Sequence, residues 1–314
     1  MQMNKIYKKK SFDDLEFDWS SQIIFSSDGK YYLFGCSNFS VKVVDKINNK
    51  IVRELFGLRK SILCIAISDD GKLISAAGRY NEIIIWDFES GNIIKRLNGH
   101  QYSVTCLRFD LQNKLLFSGS LDHTIRIWEI EKEVTKKVYQ FKNSIYCLEL
   151  IEDQNMLIAG GFSTELIFID LNKRYSNESI YFHDHTIRSI NISKNKNYFI
   201  AGGGASRLIL YNLKDKKPIR EIFYLYPKNP NVPQNIFLVQ GVYISSDENE
   251  IIGVLKEGKI CIWDLNCGKL KLLFNINESV SKLAISPDSK TFVLGMSFGK
   301  IEVISVLYNQ TANT

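Results

Sequence analysis

The sequence lacks the features that usually mark a membrane protein or a secreted precursor. No apolar run in its 314 residues approaches the roughly 18 that a membrane-spanning helix needs. Residues 1–10 contain four lysines, but the apolar run of a secretory signal does not follow them. We therefore expect no membrane partner and an intracellular location, either cytoplasmic or nuclear.

Motifs that carry common enzyme chemistry are also missing. The six cysteines show no C-x-x-C spacing, which argues against a zinc site. No G-x-G-x-x-G or P-loop pattern occurs, and no nucleophile–base pair or paired carboxylates stand outside the repeat framework described below. His183 and His185 offer two metal ligands without a third nearby, so we interpret them as one framework and one surface histidine. We expect no enzyme activity, cofactor, metal ion or small-molecule substrate.

Positive charge is concentrated at the start of the chain. The net charge is +6, and four lysines lie at positions 5, 8, 9 and 10. The rest of the chain is close to neutral and shows no basic stripe and no known nucleic-acid-binding module. We interpret these lysines as a solvated tail rather than a nucleic-acid-binding arm.

Short strands separated by turns are what the sequence contains in abundance. The clearest stretch, Leu97 to Glu129, has three alternating apolar runs separated by turn residues, which is typical of a β-meander. Seven such copies align at the ends of their third strands, at Val44, Trp86, Trp128, Ile169, Tyr211, Trp263 and Ile304. Five of the six separations are 41 or 42 residues and one is 52. A period of roughly 40–45 residues with four strands per unit indicates a β-propeller.

The Gly99-His100 opening and the Trp128-Glu129 close of this stretch resemble a WD40 repeat. The resemblance covers almost the whole chain and implies an all-β, seven-bladed WD40-type β-propeller that forms a single domain over residues 1–314. The expected blades are residues 21–58, 62–99, 103–141, 145–183, 187–225, 239–275 and 280–306. The last blade lacks an outer strand, which residues 4–10 can supply, so that the two ends of the chain close the ring.

Three cysteines recur with the repeat. Cys64, Cys106 and Cys147 are 42 and 41 residues apart, each at the start of an inner strand. We interpret them as small buried apolar residues in a reducing compartment and not as disulfide partners.

One repeat also carries a set of four polar and aromatic residues. His100, Ser118, Asp122 and Trp128 match the structural tetrad of the WD40 family position by position. In that family the aspartate bonds the histidine, the histidine bonds the serine, and the serine reaches the tryptophan N–H. The resemblance therefore assigns this Ser-His-Asp set to scaffolding rather than to catalysis. Blade five has Ala205 in place of the aspartate.

WD40 propellers often bind peptides on their top face, with residues that precede each inner strand or follow the second strand. Mapped onto this chain, these are Trp19, Phe39, Arg59, Lys60, Arg79, Tyr80, Tyr102, Leu121, Phe162, His185 and Phe298. The 52-residue separation adds a proline-rich segment to the same face at residues 226–235, with Pro227, Pro230 and Pro233. This segment is either a partner-binding lip or a tolerated surface insertion.

These features favour a non-catalytic scaffold or adaptor that binds other proteins or peptides within a larger complex. One alternative is a subunit of a ribonucleoprotein or ribosome-biogenesis assembly, which would meet RNA only indirectly through the complex. Another is the substrate receptor of a ubiquitin ligase. An enzyme would need a site built from the loops that we interpret as structural.

Overall fold

Seven four-stranded antiparallel sheets make up the fold. The computed structural model describes residues 5–12, 16–18, 21–79, 81–173, 177–181, 186–204, 207–223, 239–276, 278–297 and 299–308. In these ranges the chain forms strands and tight turns, with a 3₁₀ turn at Glu152–Gln154. No helix within them is long and apolar enough to cross a membrane.

Each sheet is one blade, and consecutive strands are neighbours within it. Blade 1 contains β2–β5 (Ile23–Phe25, Tyr31–Gly35, Val41–Asp45, Ile51–Leu55), and blade 2 contains β6–β9 (Ile62–Ile67, Leu73–Gly78, Ile83–Asp87, Ile93–Leu97). Blade 3 contains β10–β13 (Val104–Phe109, Leu115–Ser120, Thr124–Glu129, Val134–Gln140), and blade 4 contains β14–β17 (Ile145–Ile151, Met156–Gly161, Glu165–Asp170, Asn177–Tyr181). Blade 5 contains β18–β21 (Ile187–Ile192, Tyr198–Gly203, Arg207–Asn212, Pro218–Phe223), and blade 6 contains β22–β25 (Val239–Ile244, Glu250–Leu255, Lys259–Asp264, Leu270–Asn275). Blade 7 contains β26–β28 (Val280–Ile285, Thr291–Met296, Ile301–Tyr308) and, from the start of the chain, β1 (Lys5–Phe12).

The two ends of the chain meet in blade 7, as expected for a closed ring. Strand β1 pairs antiparallel with β28 over eight residues, from Lys5 opposite Tyr308 to Phe12 opposite Ile301. The predicted closing strand, residues 4–10, was therefore too short, because β28 offers a pairing edge as far as Ile301. The interpretation of the early lysines as a solvated tail was wrong, since all four lie within β1. The all-β, seven-bladed propeller with N-terminal closure is confirmed.

Hydrophobic clusters lie between neighbouring blades rather than within one blade. The described residues form seven such clusters, one for each interface around the ring. Between blades 4 and 5, the Phe168 and Phe199 rings meet edge to face with centroids 5.7 Å apart, and Phe199 stacks on Tyr211 at 4.6 Å. Burying one such side chain contributes about 1.5–3 kcal/mol. Each blade therefore depends on both neighbours for its apolar cover, and the ring must close to be stable.

The inner strands are sheet edges, and side chains from the preceding blade occupy their free backbone groups. Four contacts of this kind are Cys64 Sγ to Val104 O (3.4 Å), Thr105 Oγ1 to Ile145 O (2.6 Å), Ile244 N to Asn191 Oδ1 (2.9 Å) and Tyr243 Oη to Leu283 O (2.6 Å). All six cysteines of the chain carry free thiols. Cysteine and polar side chains of the inner strands thus satisfy backbone groups of the next blade at the centre of the ring.

Candidate functional site

The four tetrad residues form one hydrogen-bonded chain inside blade 3. His100 Nδ1 lies 2.7 Å from Asp122 Oδ2, and His100 Nε2 lies 2.7 Å from Ser118 Oγ. The indole N–H of Trp128 donates to Ser118 Oγ at 2.8 Å. Because a carboxylate only accepts, His100 carries its proton on Nδ1, and Ser118 donates to Nε2. Every polar group in the chain from Trp128 to Asp122 therefore has a partner.

Asp122 is held as a carboxylate by these contacts. Burial by itself raises its pKa, but donors from His100, Thr124 and the backbone N–H of Gln101 outweigh burial and hold the pKa well below its ordinary value. The Gln101 N–H lies 2.9 Å from Oδ2, and Thr124 Oγ1 lies 2.6 Å from Oδ1. The carboxylate thus ties the loop before β10 to the turn between β11 and β12.

The order of the hydrogen bonds, from Asp122 through His100 to Ser118, and the tautomer of His100 match those of a catalytic triad. The serine, however, is not accessible to a substrate. Ser118 is 0% exposed and His100 is 1% exposed. A nucleophile must reach a substrate atom, and Ser118 Oγ is enclosed by β-sheet with the Trp128 indole on its other side. The geometry suits a clamp between strands and leaves no room for acyl transfer.

Blade 2 also buries a tryptophan at this position, but it has no tetrad. Ala76 faces Ile65 across β6 and β7 in the register that Ser118 and Leu107 have in blade 3. The Trp86 indole N–H donates instead to the backbone oxygen of Phe56 at 3.0 Å. A buried tryptophan at this position requires an acceptor, which either a serine or a backbone carbonyl can provide.

The two sets of loops that the sequence assigned to the top face lie side by side. The residue after the second strand donates its backbone N–H to the residue before the first strand, namely Arg79 to Ser61 at 3.0 Å, Leu121 to Ser103 at 2.9 Å and Phe162 to Ser144 at 2.9 Å. We use "top face" for this end of the ring. The opposite end carries the turns between the first and second strands and those between the third and fourth strands.

Large apolar and basic side chains are exposed on the top face. Tyr102 and Phe162 expose 65% and 62% of their surface. Arg59, Lys60 and Arg79, from the loops of blade 2, are exposed as well. Aromatic and arginine side chains are the most frequent anchors of protein interfaces.

Two other residues that were predicted to contribute to the top face are less accessible. Phe39 and Leu121 are half-buried. Phe39 takes a positive φ of 67° in the turn after β3, where its N–H donates to Cys36 O at 3.0 Å. Both residues therefore shape the turns as well as offering surface to a partner.

Sequence reasoning missed an exposed aromatic on the same face. Phe56 directly follows β5 and exposes 59% of its surface. The mapping considered only the residues just before an inner strand or just after a second strand, whereas Phe56 lies six residues before Ile62. A bulky apolar residue immediately after an outer strand was the signal available.

A groove adjoins the exposed aromatic of blade 4. It has a volume of about 420 Å³ and lies between blades 3 and 4, where Gly161 and Ser163 flank Phe162. The other wall is the segment that links the two blades, Gln140, Phe141, Lys142, Asn143, Ser144 and Ile145. Its volume lies within the roughly 300–1,000 Å³ that is typical of small-molecule pockets.

Several predicted residues lie outside the described part of the chain. They are Trp19, Tyr80, His183, His185, Ala205, Phe298 and the insertion at residues 226–235 with Pro227, Pro230 and Pro233. Within the described part, no three His, Cys, Asp or Glu side chains are grouped in a way that could hold a metal ion.

Comparisons with known proteins agree with this architecture. Residues 49–87 and 91–129 match the WD40 family model, described as WD domain, G-beta repeat. The chain is similar to a crystal structure of RRP9 WD40 repeats, with a TM-score of 0.84, 15% identity and coverage of 95% of this chain and 97% of that chain. It is also similar to a structure of U3-55K, with a TM-score of 0.83, 16% identity and coverage of 95% and 98%. No curated protein sequence matches it significantly.

The matched repeats are offset from the blades. Residues 49–87 begin with β5, the outer strand of blade 1, and continue through β6–β8 of blade 2. Residues 91–129 likewise join β9 to blade 3. One sequence repeat therefore links two neighbouring blades, which is the same overlap that β1 provides at the closure.

Proposed function

Because this chain carries WD40 repeats and folds as a seven-bladed β-propeller, we propose that it is a non-catalytic platform that binds other proteins or peptides on its top face. WD40 propellers are protein-binding scaffolds in general. The choice of face rests on one observation, the exposure of Tyr102 and Phe162 on adjacent blades beside the basic loops of blade 2.

Apolar exposure at these positions has a cost in the free protein. Tyr102 and Phe162 lie in loops where polar side chains would be better solvated, yet both are almost two-thirds exposed. A partner that covers such rings gains roughly 25 cal/mol per Å² of apolar surface removed from water. The nearby Arg59 and Arg79 add charged donors at the rim, which favour carboxylates on the partner.

The loops that carry these residues are held in place before any partner arrives. Backbone hydrogen bonds of 2.9–3.0 Å fix the turn to the adjoining loop in blades 2, 3 and 4. The tetrad secures the same end of blade 3 through Asp122 and Gln101. A pre-organised surface loses little conformational entropy on binding, which is what a docking platform requires.

The test is affinity purification with mass spectrometry on matched variants. Tyr102→Ala with Phe162→Ala removes the top-face rings, and Ile47→Ala with Leu111→Ala removes two apolar side chains, 84% and 56% exposed, from turns at the opposite end. Circular dichroism must show that both proteins are folded. We expect partners to be lost from the first variant and kept by the second.

The reverse pattern would overturn the proposal. Partners that survive the top-face changes but disappear with Ile47 and Leu111 would move the binding surface to the other end of the ring. Turnover of any substrate by the Tyr102/Phe162 variant would contradict the non-catalytic role.

A second candidate, membership of a ribonucleoprotein assembly, is favoured by the placement of positive charge. Four lysines of the chain lie in β1, an outermost strand of the ring, and Lys10 is exposed. Contacts with phosphates weaken steeply as salt increases. RNA that co-purifies at about 50 mM salt and is released at about 200 mM would support this candidate. RNA recovery that does not depend on salt, or on the lysines of β1, would contradict it.

A further inference from the structure

The centre of the ring contains a polar cavity that the top-face platform does not explain. It has a volume of about 160 Å³ and is lined by inner-strand residues from all seven blades. Arg108, Arg188, Lys282 and Glu149 are its charged members. The cavity is smaller than the roughly 300–1,000 Å³ of a typical drug-sized ligand site, so a small occupant fits it best.

Two of these charges neutralise each other. Arg108 Nε donates to Glu149 Oε2 at 2.9 Å, and its Nη2 donates to Glu149 Oε1. This bidentate pair uses both carboxylate oxygens. Glu149, on blade 4, is thereby engaged by Arg108 of the neighbouring blade 3 and is not the counter-ion of the remaining cations.

Neither of the other two cations has a counter-ion within the described part of the chain. Among the residues that the structure describes, Lys282 makes no hydrogen bond and no ion pair, although its side chain is largely enclosed by the cavity wall. Arg188 lies at the exposed edge of the cavity, with its Cζ 5.8 Å from the centroid of the Tyr146 ring. Burial, together with the positive charge of Arg188, lowers the pKa of Lys282, so the two groups are close enough to repel.

A lysine at this position departs from the repeat. By strand register, Lys282 occupies the position that Cys64, Cys106 and Cys147 occupy in blades 2, 3 and 4. Cys64 and Cys147 contact the backbone of the next inner strand through their small thiols, whereas Lys282 brings a positive charge to the cavity lining. An unpaired, enclosed charge is costly unless something compensates it.

We propose that the central cavity binds a small tetrahedral oxyanion, such as phosphate or sulfate, between Lys282 and Arg188. The side-chain amides of Gln22 and Gln240 line the same cavity and can add neutral donors. The net positive charge, the partly buried Lys282 and the small size of the cavity together favour a compact anion. This site is independent of the top-face platform and of any partner bound there.

The first test uses sulfate as the probe, since its charge is constant across the working pH range. The unfolding temperature is measured against sulfate concentration, with chloride at equal ionic strength as the reference. Sulfate also stabilises proteins nonspecifically by exclusion from their surface, so only the saturable part of the shift reports on the site. Isothermal titration calorimetry gives the affinity and the number of sites per chain.

Lys282→Met is the informative variant, because it keeps the length of the side chain and removes its charge. Lys142→Met is the matched control, since Lys142 is an exposed lysine on the top face. We expect one site per chain in the native protein and in the Lys142 variant. In the Lys282 variant we expect sulfate affinity to fall about tenfold or more, as when a charge-assisted hydrogen bond is lost.

Lys282→Met should remain folded, because it replaces an unpaired enclosed charge with an apolar group. A sulfate response that is not saturable, or that is equal in the native protein and the Lys282 variant, would overturn the proposal. Titrations of inorganic phosphate and O-phosphoserine then identify the source of the anion. Stronger binding of inorganic phosphate indicates the free ion, stronger binding of O-phosphoserine indicates a phosphate carried on a larger molecule, and failure of both overturns the site.

Discussion

The hydrogen-bonded chain in blade 3 gives a sharp prediction for Ser118→Ala. The substitution leaves the backbone in place but removes the oxygen between Trp128 and His100. The indole N–H, 2.8 Å from that oxygen, and His100 Nε2, 2.7 Å from it, then have no partner. Both groups are buried, with Trp128 and His100 each 1% exposed, so water does not replace the lost contact.

The size of the effect follows from these two orphaned groups. Each buried polar group without a partner costs about 1–3 kcal/mol, so we expect the two groups together to lower the free energy of unfolding by about 2–6 kcal/mol. A typical domain is stable by about 5–15 kcal/mol, so the shift in the urea midpoint will be large. Urea denaturation followed by circular dichroism measures it directly.

The neighbouring blade provides a matched control. Ser75 is also 0% exposed, but its hydroxyl has no hydrogen-bond partner among the residues that the structure describes. Ser75→Ala therefore removes a buried hydroxyl without orphaning anything, and we expect stability to stay the same or rise. A Ser118→Ala loss no larger than the Ser75→Ala effect would refute the reasoning.

A double-mutant cycle tests how much of the lost stability comes from the hydrogen bond between Ser118 and Trp128. In a Trp128→Phe background the indole N–H is already absent, so Ser118→Ala should cost about 1–3 kcal/mol less than in the native protein. Additive effects would show that the Ser118–Trp128 hydrogen bond does not carry the stability assigned to it.

Two further predictions concern the same framework. The lowered pKa of Asp122 means that its charge stabilises the fold at pH values above its ordinary value of 3.8, and that this stabilisation is lost as the pH falls toward the lowered folded pKa. Asp122→Asn should therefore be less stable than the native protein at pH 7, and the gap in urea midpoint should shrink below about pH 4; a gap that does not vary with pH would contradict this. Deletion of residues 1–12 removes β1 and exposes the edge of β28, so we expect a lower unfolding temperature and concentration-dependent association in size-exclusion chromatography. A truncated chain that stays monomeric with an unchanged unfolding temperature would show that β1 does not protect this edge.

The candidate sites could be predicted only in part from the sequence. The tetrad could be placed because each member sits at a fixed distance from a strand end, so Gly99-His100 and Trp128 located Ser118 and Asp122 between them. The hydrogen-bond acceptor of Trp86 could not be predicted, because it is the backbone oxygen of Phe56 and a backbone acceptor has no sequence signal. The exposure of Phe162 followed from its place after a second strand, whereas the half-burial of Phe39 depends on how its turn folds back onto the blade.

The sequence by itself determined the number of blades, the order of their strands and the closure of the ring. The repeat period of 41 or 42 residues and the absence of a fourth strand in the last repeat can both be read along the sequence. Because consecutive strands pair with each other, these two features are enough to predict the sheets. Tertiary structure decided what happens at the centre, where seven inner strands from all parts of the chain converge. Only there do Arg188 and Lys282, 94 residues apart in sequence, line one cavity in which no described residue serves as their counter-ion. Local pattern records which face of a strand is apolar, but the charge balance of a cavity depends on side chains that only the closed ring brings together.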